Sequence, residues 1–278
     1  MPELPEVETV CRGISPALEG ATIAKIDIRQ SKLRLPVPEN LGAVITGQRV
    51  ERVRRRAKYI LIDFEDGHHG LVHLGMSGAF RVYKADDEKP PLEKHDHIII
   101  DTDAGARLIY NDPRKFGFFD LIDPGKENDH NFLCKLGVEP MGNHLNANYL
   151  WVKFKGKKAP IKQALLDQSL IAGLGNIYVA EVLYLSGISP TKKSGTISKK
   201  RLETLCSAVR EVIAAAIDAG GSSLKDFSNT EGELGYFQHE FKVYNQADKP
   251  CSKESCNGTI KRIVQSGRST YYCPKCQS

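Results

Sequence analysis

Residues 251–276 read CSKESCNGTIKRIVQSGRSTYYCPKC. Four residues separate Cys251 from Cys256, two separate Cys273 from Cys276, and sixteen separate the pairs. Two such knuckles let four thiolates converge on one Zn²⁺, which takes sulfur ligands in a tetrahedron. Between the pairs, TIKRIVQ and RSTYY alternate around Ser266-Gly267, as the two strands of a hairpin would. The expected product is a short zinc-stapled hairpin with Arg268 near its tip. Four cysteines leave no open position for water, so the single zinc ion is expected to be structural. The competing readings are a pair of disulfides or a thiol redox centre. Against them, Cys11, Cys134 and Cys206 stand unpaired in apolar contexts, which suits a reducing compartment.

Outward from the cysteines, charge marks the same segment. From Lys242 to the last residue there are seven basic and two acidic side chains, a net +5 that equals the value for all 278 residues. The preceding 241 residues balance at 32 against 32. A basic module on a neutral body points to a polyanionic partner. The chain is 41% hydrophobic and 26% charged, the balance of a globular protein. Its acidic start lacks the basic flank and apolar run of a signal peptide, and no stretch is long and apolar enough to span a membrane. A cytoplasmic protein is expected.

From Ala21 to about Asp123 the apolar pattern has period two and is rich in β-branched residues, as in RRRAKYILIDF, LVHLGMSGAFRVY and HIIIDT. Turn signals such as Asp66-Gly67 separate the runs, which predicts an antiparallel sandwich or barrel. Beyond Gly156 helical periodicity takes over. Ser198 can cap a helix lined by Leu202, Leu205, Val209, Val212, Ile213, Ala216 and Ile217, with Gly220-Gly221 ending it. A shorter helix is expected near Ile161 to Leu170. After it, GLGNIYVAEVLYLSGISP turns at Gly173 and Gly175, and Asn176 can cap the next helix. The fold class is therefore α+β, with boundaries expected at 1–130, 131–240 and 241–278.

The chain opens MPELPEVETV. Pro5 suits a first helical position, Glu6 and Glu8 suit the positive end of the helix dipole, and Val7, Val10, Cys11 and Ile14 recur on one face. That pattern leaves Pro2 and Glu3 unexplained. Four other clusters have bland readings: RRRAKYI, with Lys58, as a charged strand edge; HLGMSG, with Met76, as core filling; NDPRKFG, with Arg114 and Phe116, as a charged turn; and FKGKKAP, with Lys157, as a basic loop. KHDH lacks a third ligand nearby, so His95 reads as a polar surface contact.

Taken together and in order, MPELPEVETV, RRAKYI, HLGMSG, NDPRKFG, GLGNIYVAEVL, GGSSLKDF and the four cysteines resemble bacterial formamidopyrimidine-DNA glycosylase, from Met1 to Cys276. The resemblance implies an N-terminal antiparallel β-sandwich with an opening helix, then a helix-two-turn-helix domain ending in the zinc β-hairpin finger. It implies a bifunctional glycosylase and abasic-site lyase acting on oxidised purines in damaged double-stranded DNA; the protein is expected to be a monomer, with no nucleotide cofactor and no membrane partner.

Residue by residue, the resemblance makes Pro2, once Met1 is removed, the nucleophile that forms a Schiff base with the sugar. Glu3 becomes its proton-transfer partner, Lys58 a residue near the reacting nucleotide, and Arg268 the hairpin phosphate grip. Met76 and Phe116 match apolar wedges, and Arg114 a donor to the orphaned base. His95, Lys157 and Asn176 match DNA contacts. Glu6 and Tyr236, with the loop from Ser222 to Tyr236, match the damaged-base pocket. One departure stands out: the first cysteine pair flanks four residues where the commonest family spacing is two, which predicts a looser knuckle. Two rivals remain, the endonuclease VIII branch that prefers oxidised pyrimidines and a non-catalytic zinc-hairpin DNA-binding protein. Leu4, with Met76, Arg114 and Phe116 together, favours the purine branch, and the non-catalytic reading assigns no role to Pro2-Glu3.

Overall fold

A computed structural model describes residues 2–222 and 235–278. The chain divides into two compact units: the described parts of Met1–Cys134 with Ala219–Tyr236, and Lys135–Asp218 with Phe237–Ser278.

In the first unit, α1 (Leu4–Leu18) precedes β1 (Ile23–Ile28), the short α2 (Leu41–Ile45), β2 (Val50–Arg56), β3 (Tyr59–Phe64), β4 (His69–His73), β5 (Ala79–Tyr83), β6 (Asp96–Thr102), β7 (Arg107–Asn111) and β8 (Phe118–Ile122). Two antiparallel four-stranded sheets form, in the orders β1-β6-β7-β5 and β2-β3-β4-β8. One core joins them: Ile98, Ile100, Leu108 and Tyr110 from the first sheet meet Ile60, Ile62, Val72 and Phe119 from the second. This is the expected β-sandwich with its opening helix.

The apolar face of α1 packs into that core through Val7, Val10, Ile14 and Leu18, which with Leu4 are all at or below 1% exposure. Burying five such side chains contributes on the order of 10 kcal/mol at most. The helix is thereby fixed, and with it the residues at its start. Pro5 occupies the second helical position, not the first, because Glu3 is the cap and Leu4 begins the helix.

In the second unit, α3 (Ala147–Phe154), α4 (Ile161–Leu166), α5 (Asn176–Leu185) and α6 (Lys199–Asp218) precede the hairpin β9 (Lys261–Gln265) and β10 (Arg268–Tyr272). The α6 face predicted from periodicity is buried from Leu202 to Ala216, while Ile217, in the last turn, is only half-buried. Helix α4 stops at Leu166, short of the expected Leu170, because Gln168 turns back on the chain. Its Nε2 donates to Leu174 O at 2.8 Å and its Oε1 accepts from Gly173 N at 2.9 Å. Asn176 is the first residue of α5 rather than its cap; Gly175 takes that position. Cys11 and Cys206 are buried, but Cys134 is exposed, against its apolar sequence neighbourhood.

Candidate active site and DNA-binding residues

In the first unit the site begins at the head of α1. Glu3 caps the helix and forms a reciprocal capping box with Glu6, the Glu3 amide donating to Glu6 Oε2 at 2.8 Å. Pro2, Glu3 and Glu6 are all buried. The other oxygen of Glu6 accepts from Ser222, from its amide at 2.8 Å and its hydroxyl at 2.9 Å. One carboxylate thus ties the N-terminal dipeptide to the stem of the segment that Ser222 and Tyr236 close by pairing. Gly221 permits this approach: its φ is +80°, and an added Cβ would press on Glu6. Tyr236 is exposed at 66%. Residues 223–234 of the expected base-recognition loop lie outside the described residues.

Lys58 lies in the turn between β2 and β3, where Ala57 adopts a φ of +55°. The turn is braced from α1: Arg55 Nε bonds Glu8 Oε2 at 2.9 Å while its Nη1 donates to Ala57 O at 3.1 Å. The Lys58 side chain is buried to 8% exposure. His73, which the sequence reading passed over, shares its surroundings. Burial first, then the charges of Arg34 and Lys58, pull the His73 imidazole down to about 4. It is neutral at pH 7, packs against Tyr59 and Phe118, and accepts from the Gly75 amide at 3.0 Å. Its signal was the first letter of HLGMSG.

The loops carrying Met76 and Arg114-Phe116 are held to each other. Buried Asp112 accepts from Ser77 Oγ at 2.6 Å and from Gly117 N at 2.8 Å, and the Tyr110 hydroxyl donates to it at 3.3 Å. His97 bonds the Asp112 carbonyl through Nε2 at 2.9 Å, which explains the second histidine of KHDH. His95 is half-buried, 6.2 Å from His97 between ring centres. Gly75, with a φ of +65°, abuts the backbone of Phe116 and Gly117 so closely that no Cβ fits. Met76 is half-buried, whereas Phe116 is 44% exposed under the Arg114 guanidinium, 4.9 Å from its ring centre. Phe116 is thus held in solvent by a loop braced through Asp112.

In the second unit, Lys157 is exposed in the loop after α3, and Arg268 is exposed at the start of β10. The backbone next to Arg268 is fixed by two side chains. Lys162 Nζ donates to Ser269 O at 3.0 Å and Thr270 Oγ1 at 2.6 Å, and Asn176 Nδ2 donates to Ser269 O at 3.0 Å. The sequence reading missed Lys162, a lysine on the apolar face of a short helix at 1% exposure. Buried Glu181 accepts from the amides of Lys242, Val243 and Tyr244 at 2.9, 3.1 and 2.7 Å, which anchors the chain entering the finger. Burial pushes its carboxyl up, against those three donors.

The sulfurs of Cys251, Cys256, Cys273 and Cys276 all lie within 4.8 Å of one another, with two pairs at 3.7 Å. Tetrahedral zinc with Zn–S bonds of about 2.3 Å separates its sulfurs by about 3.8 Å. Disulfide sulfurs stand at about 2.05 Å, so the spacing fits zinc and not disulfides. Among the described residues no other group of His, Cys, Asp or Glu could hold a metal.

Three family models cover nearly the whole chain. The formamidopyrimidine-DNA glycosylase N-terminal domain matches residues 1–119, the formamidopyrimidine-DNA glycosylase H2TH domain residues 136–228, and the zinc finger found in FPG and IleRS residues 248–278. Formamidopyrimidine-DNA glycosylases of Ruegeria pomeroyi and Rhizobium meliloti are each 50% identical, with both chains covered in full. The chain belongs to the formamidopyrimidine-DNA glycosylase family.

Solved structures agree with that membership. Lactococcus lactis Fpg in complex with DNA containing an abasic site is 34% identical, with a TM-score of 0.88 over 99% of each chain. MutM in complex with DNA containing carbocyclic 8-oxo-G matches equally well over 100% of both chains. Of the residues that the sequence resemblance singles out, the first unit of this glycosylase-family chain carries Pro2, Glu3, Glu6, Lys58, Met76, His95, Arg114, Phe116 and Tyr236. The second carries Lys157, Asn176, Arg268 and the four cysteines. Cys251, Cys256, Cys273 and Cys276 hold one structural zinc.

Proposed function

We propose that the protein is a base-excision DNA glycosylase and abasic-site lyase that removes oxidised purines such as 8-oxoguanine and formamidopyrimidines from duplex DNA. The observation that carries the reading is the Pro2-Glu3 dipeptide, buried at the head of a rigidly packed helix in a chain of this family.

Removal of Met1 leaves Pro2 with a secondary α-amine. Free α-amines titrate near about 7.7–8.0 against about 10.4 for lysine, so far more of this nitrogen is neutral and nucleophilic at pH 7. It attacks the sugar C1′ and displaces the damaged base. The sugar ring opens, and the covalent product is an iminium. That electron sink acidifies the adjacent C2′ proton, whose removal expels the 3′ phosphate, and a second elimination expels the 5′ phosphate. Glu3, one residue from the nucleophile, carries the proton transfers. Lys58 supplies fixed positive charge beside the reacting nucleotide, uncontested by His73, which stays neutral. Zinc takes no part in these steps; when bound, it holds the hairpin that carries Arg268.

A flipped nucleotide leaves a gap that costs a few kcal/mol of stacking and pairing. Met76 and Phe116 fill it, and Arg114 bonds the unpaired base. His95 and Lys157 contact the DNA and Arg268 binds phosphate, as does Asn176, which keeps one amide proton after bonding Ser269 O. Glu6 and Tyr236 frame the pocket for the damaged base. The enzyme works as a monomer in the bacterial cytoplasm and needs no nucleotide cofactor.

Borohydride added during turnover of an 8-oxoguanine duplex reduces the iminium to a stable adduct. Peptide mapping of that adduct is expected to place the link on Pro2. A link on an internal lysine, or no adduct at all, overturns the mechanism. A panel of defined lesions separates the branches: faster excision of oxidised pyrimidines than of 8-oxoguanine would favour the endonuclease VIII reading.

A further inference from the structure

We infer that Tyr184 is a positioning residue of the zinc centre: its phenol donates a hydrogen bond to the Cys251 thiolate and so slows loss of the metal. Tyr184 lies near the end of α5 at 3% exposure, packed with Ala180, Val243, Ile260 and Tyr271 against the finger. Its hydroxyl is 3.1 Å from Cys251 Sγ and 3.0 Å from Ser252 Oγ. Cysteine bound to zinc is a thiolate without a proton. The phenol is therefore the donor to sulfur, and the Ser252 hydroxyl donates in turn to the phenol oxygen.

The next residue completes the contact. Lys253 Nζ lies 5.0 Å from the Tyr184 ring centre and donates to the Tyr184 carbonyl at 3.4 Å. Three consecutive residues, Cys251, Ser252 and Lys253, thus dock on one tyrosine. Two of them belong to the four-residue stretch between the first cysteines, whose length predicted a loose knuckle. The structure ties that stretch down instead.

The chemistry gives the bond a consequence. A hydrogen bond to a zinc-bound thiolate draws charge from sulfur and makes it a poorer base and a poorer nucleophile. Metal loss proceeds through protonation or attack at such a sulfur, so the bond keeps zinc in place. Partners of this kind typically change metal affinity by about 10–100-fold. Among the described residues, Cys251 is the one ligand of the four bonded to a side-chain hydroxyl. The inference rests on the zinc site and not on the catalytic reading.

The test uses the full zinc-loaded chain and two variants, Tyr184→Phe and Tyr271→Phe. Both keep their rings in the same apolar cluster, but only the first removes a hydroxyl from a cysteine. Two rates are read: zinc transfer to a colorimetric chelator, and iodoacetamide alkylation of Cys251 followed by mass spectrometry. Tyr184→Phe is expected to speed both about tenfold, with Tyr271→Phe within twofold of the parent. Equal rates in Tyr184→Phe and the parent overturn the inference. So does equal acceleration in both variants, which assigns the effect to packing. Should Tyr184→Phe fail to fold, Ser252→Ala, which removes the donor to the phenol oxygen, takes its place, and rates of zinc transfer and Cys251 alkylation equal to the parent's overturn the inference.

Discussion

Single side chains here do their work by being held. Glu6 spends one carboxylate on two segments far apart in sequence, the N-terminal dipeptide and Ser222. Spacing predicted its helix-start role and could not predict the second partner, 216 residues away. His73 shows the same limit and has a measurable signature. Its folded pKa of about 4 lies below the ordinary 6.5, so the unfolded chain binds the extra proton. Stability from this group is complete above pH 6.5 and is lost as pH falls toward 4. Urea denaturation is expected to show about 2–3 kcal/mol lost from this source between pH 7 and 4.5. His73→Phe should flatten that part of the pH dependence, and an unchanged slope would place the proton elsewhere.

Among the elements, the decisive contact joins two loops rather than two strands. Gly75 meets the backbone of Phe116-Gly117 without room for a Cβ, at a φ that side chains disfavour. Gly75→Ala must therefore part the loops that carry Met76, Arg114 and Phe116. The expected cost is about 1–3 kcal/mol of stability, with a larger fall in excision of 8-oxoguanine than in cleavage of a preformed abasic site. Equal losses on both substrates would mean that the loops do not act on base extrusion. The start of α5 shows why boundaries misled. Asn176 is a good cap by composition, but Nδ2 is drawn to Ser269 O, and Gly175 adopts the extended cap conformation instead.

For the molecule as a whole, charge is the testable property. The +5 excess lies in the segment from Lys242 onward, which includes Arg268 and the zinc hairpin. If several of these cations neutralise phosphates, the logarithm of DNA affinity falls linearly with the logarithm of salt, at about 0.9 per contact. Fluorescence anisotropy with an abasic-analogue duplex between 50 and 200 mM salt, roughly a 10³-fold loss for six contacts, measures the slope. Arg268→Ala is expected to lower it by about one contact, and an unaltered slope would remove Arg268 from the phosphate interface. Chelating the zinc should have a larger effect than any one of these substitutions, since the finger loses its four-thiolate staple at once.

The amino-acid sequence by itself determined the class of fold, the sandwich-then-helices order, the zinc ligands and the ordered set of motifs that names the family. These are properties of periodicity, of spacing and of rare residues at fixed places, and they are written locally along the chain. Only the tertiary structure decided that Glu6 brackets Ser222, that Asp112 clasps the loops bearing Met76 and Phe116, and that Lys162 and Asn176 share the Ser269 carbonyl. It also decided that the long first knuckle rests on Tyr184. Most of these are buried polar groups satisfied by a partner remote in sequence. Burial obliges such groups to find partners, but which partner lies within reach is a matter of packing, and no local pattern records it.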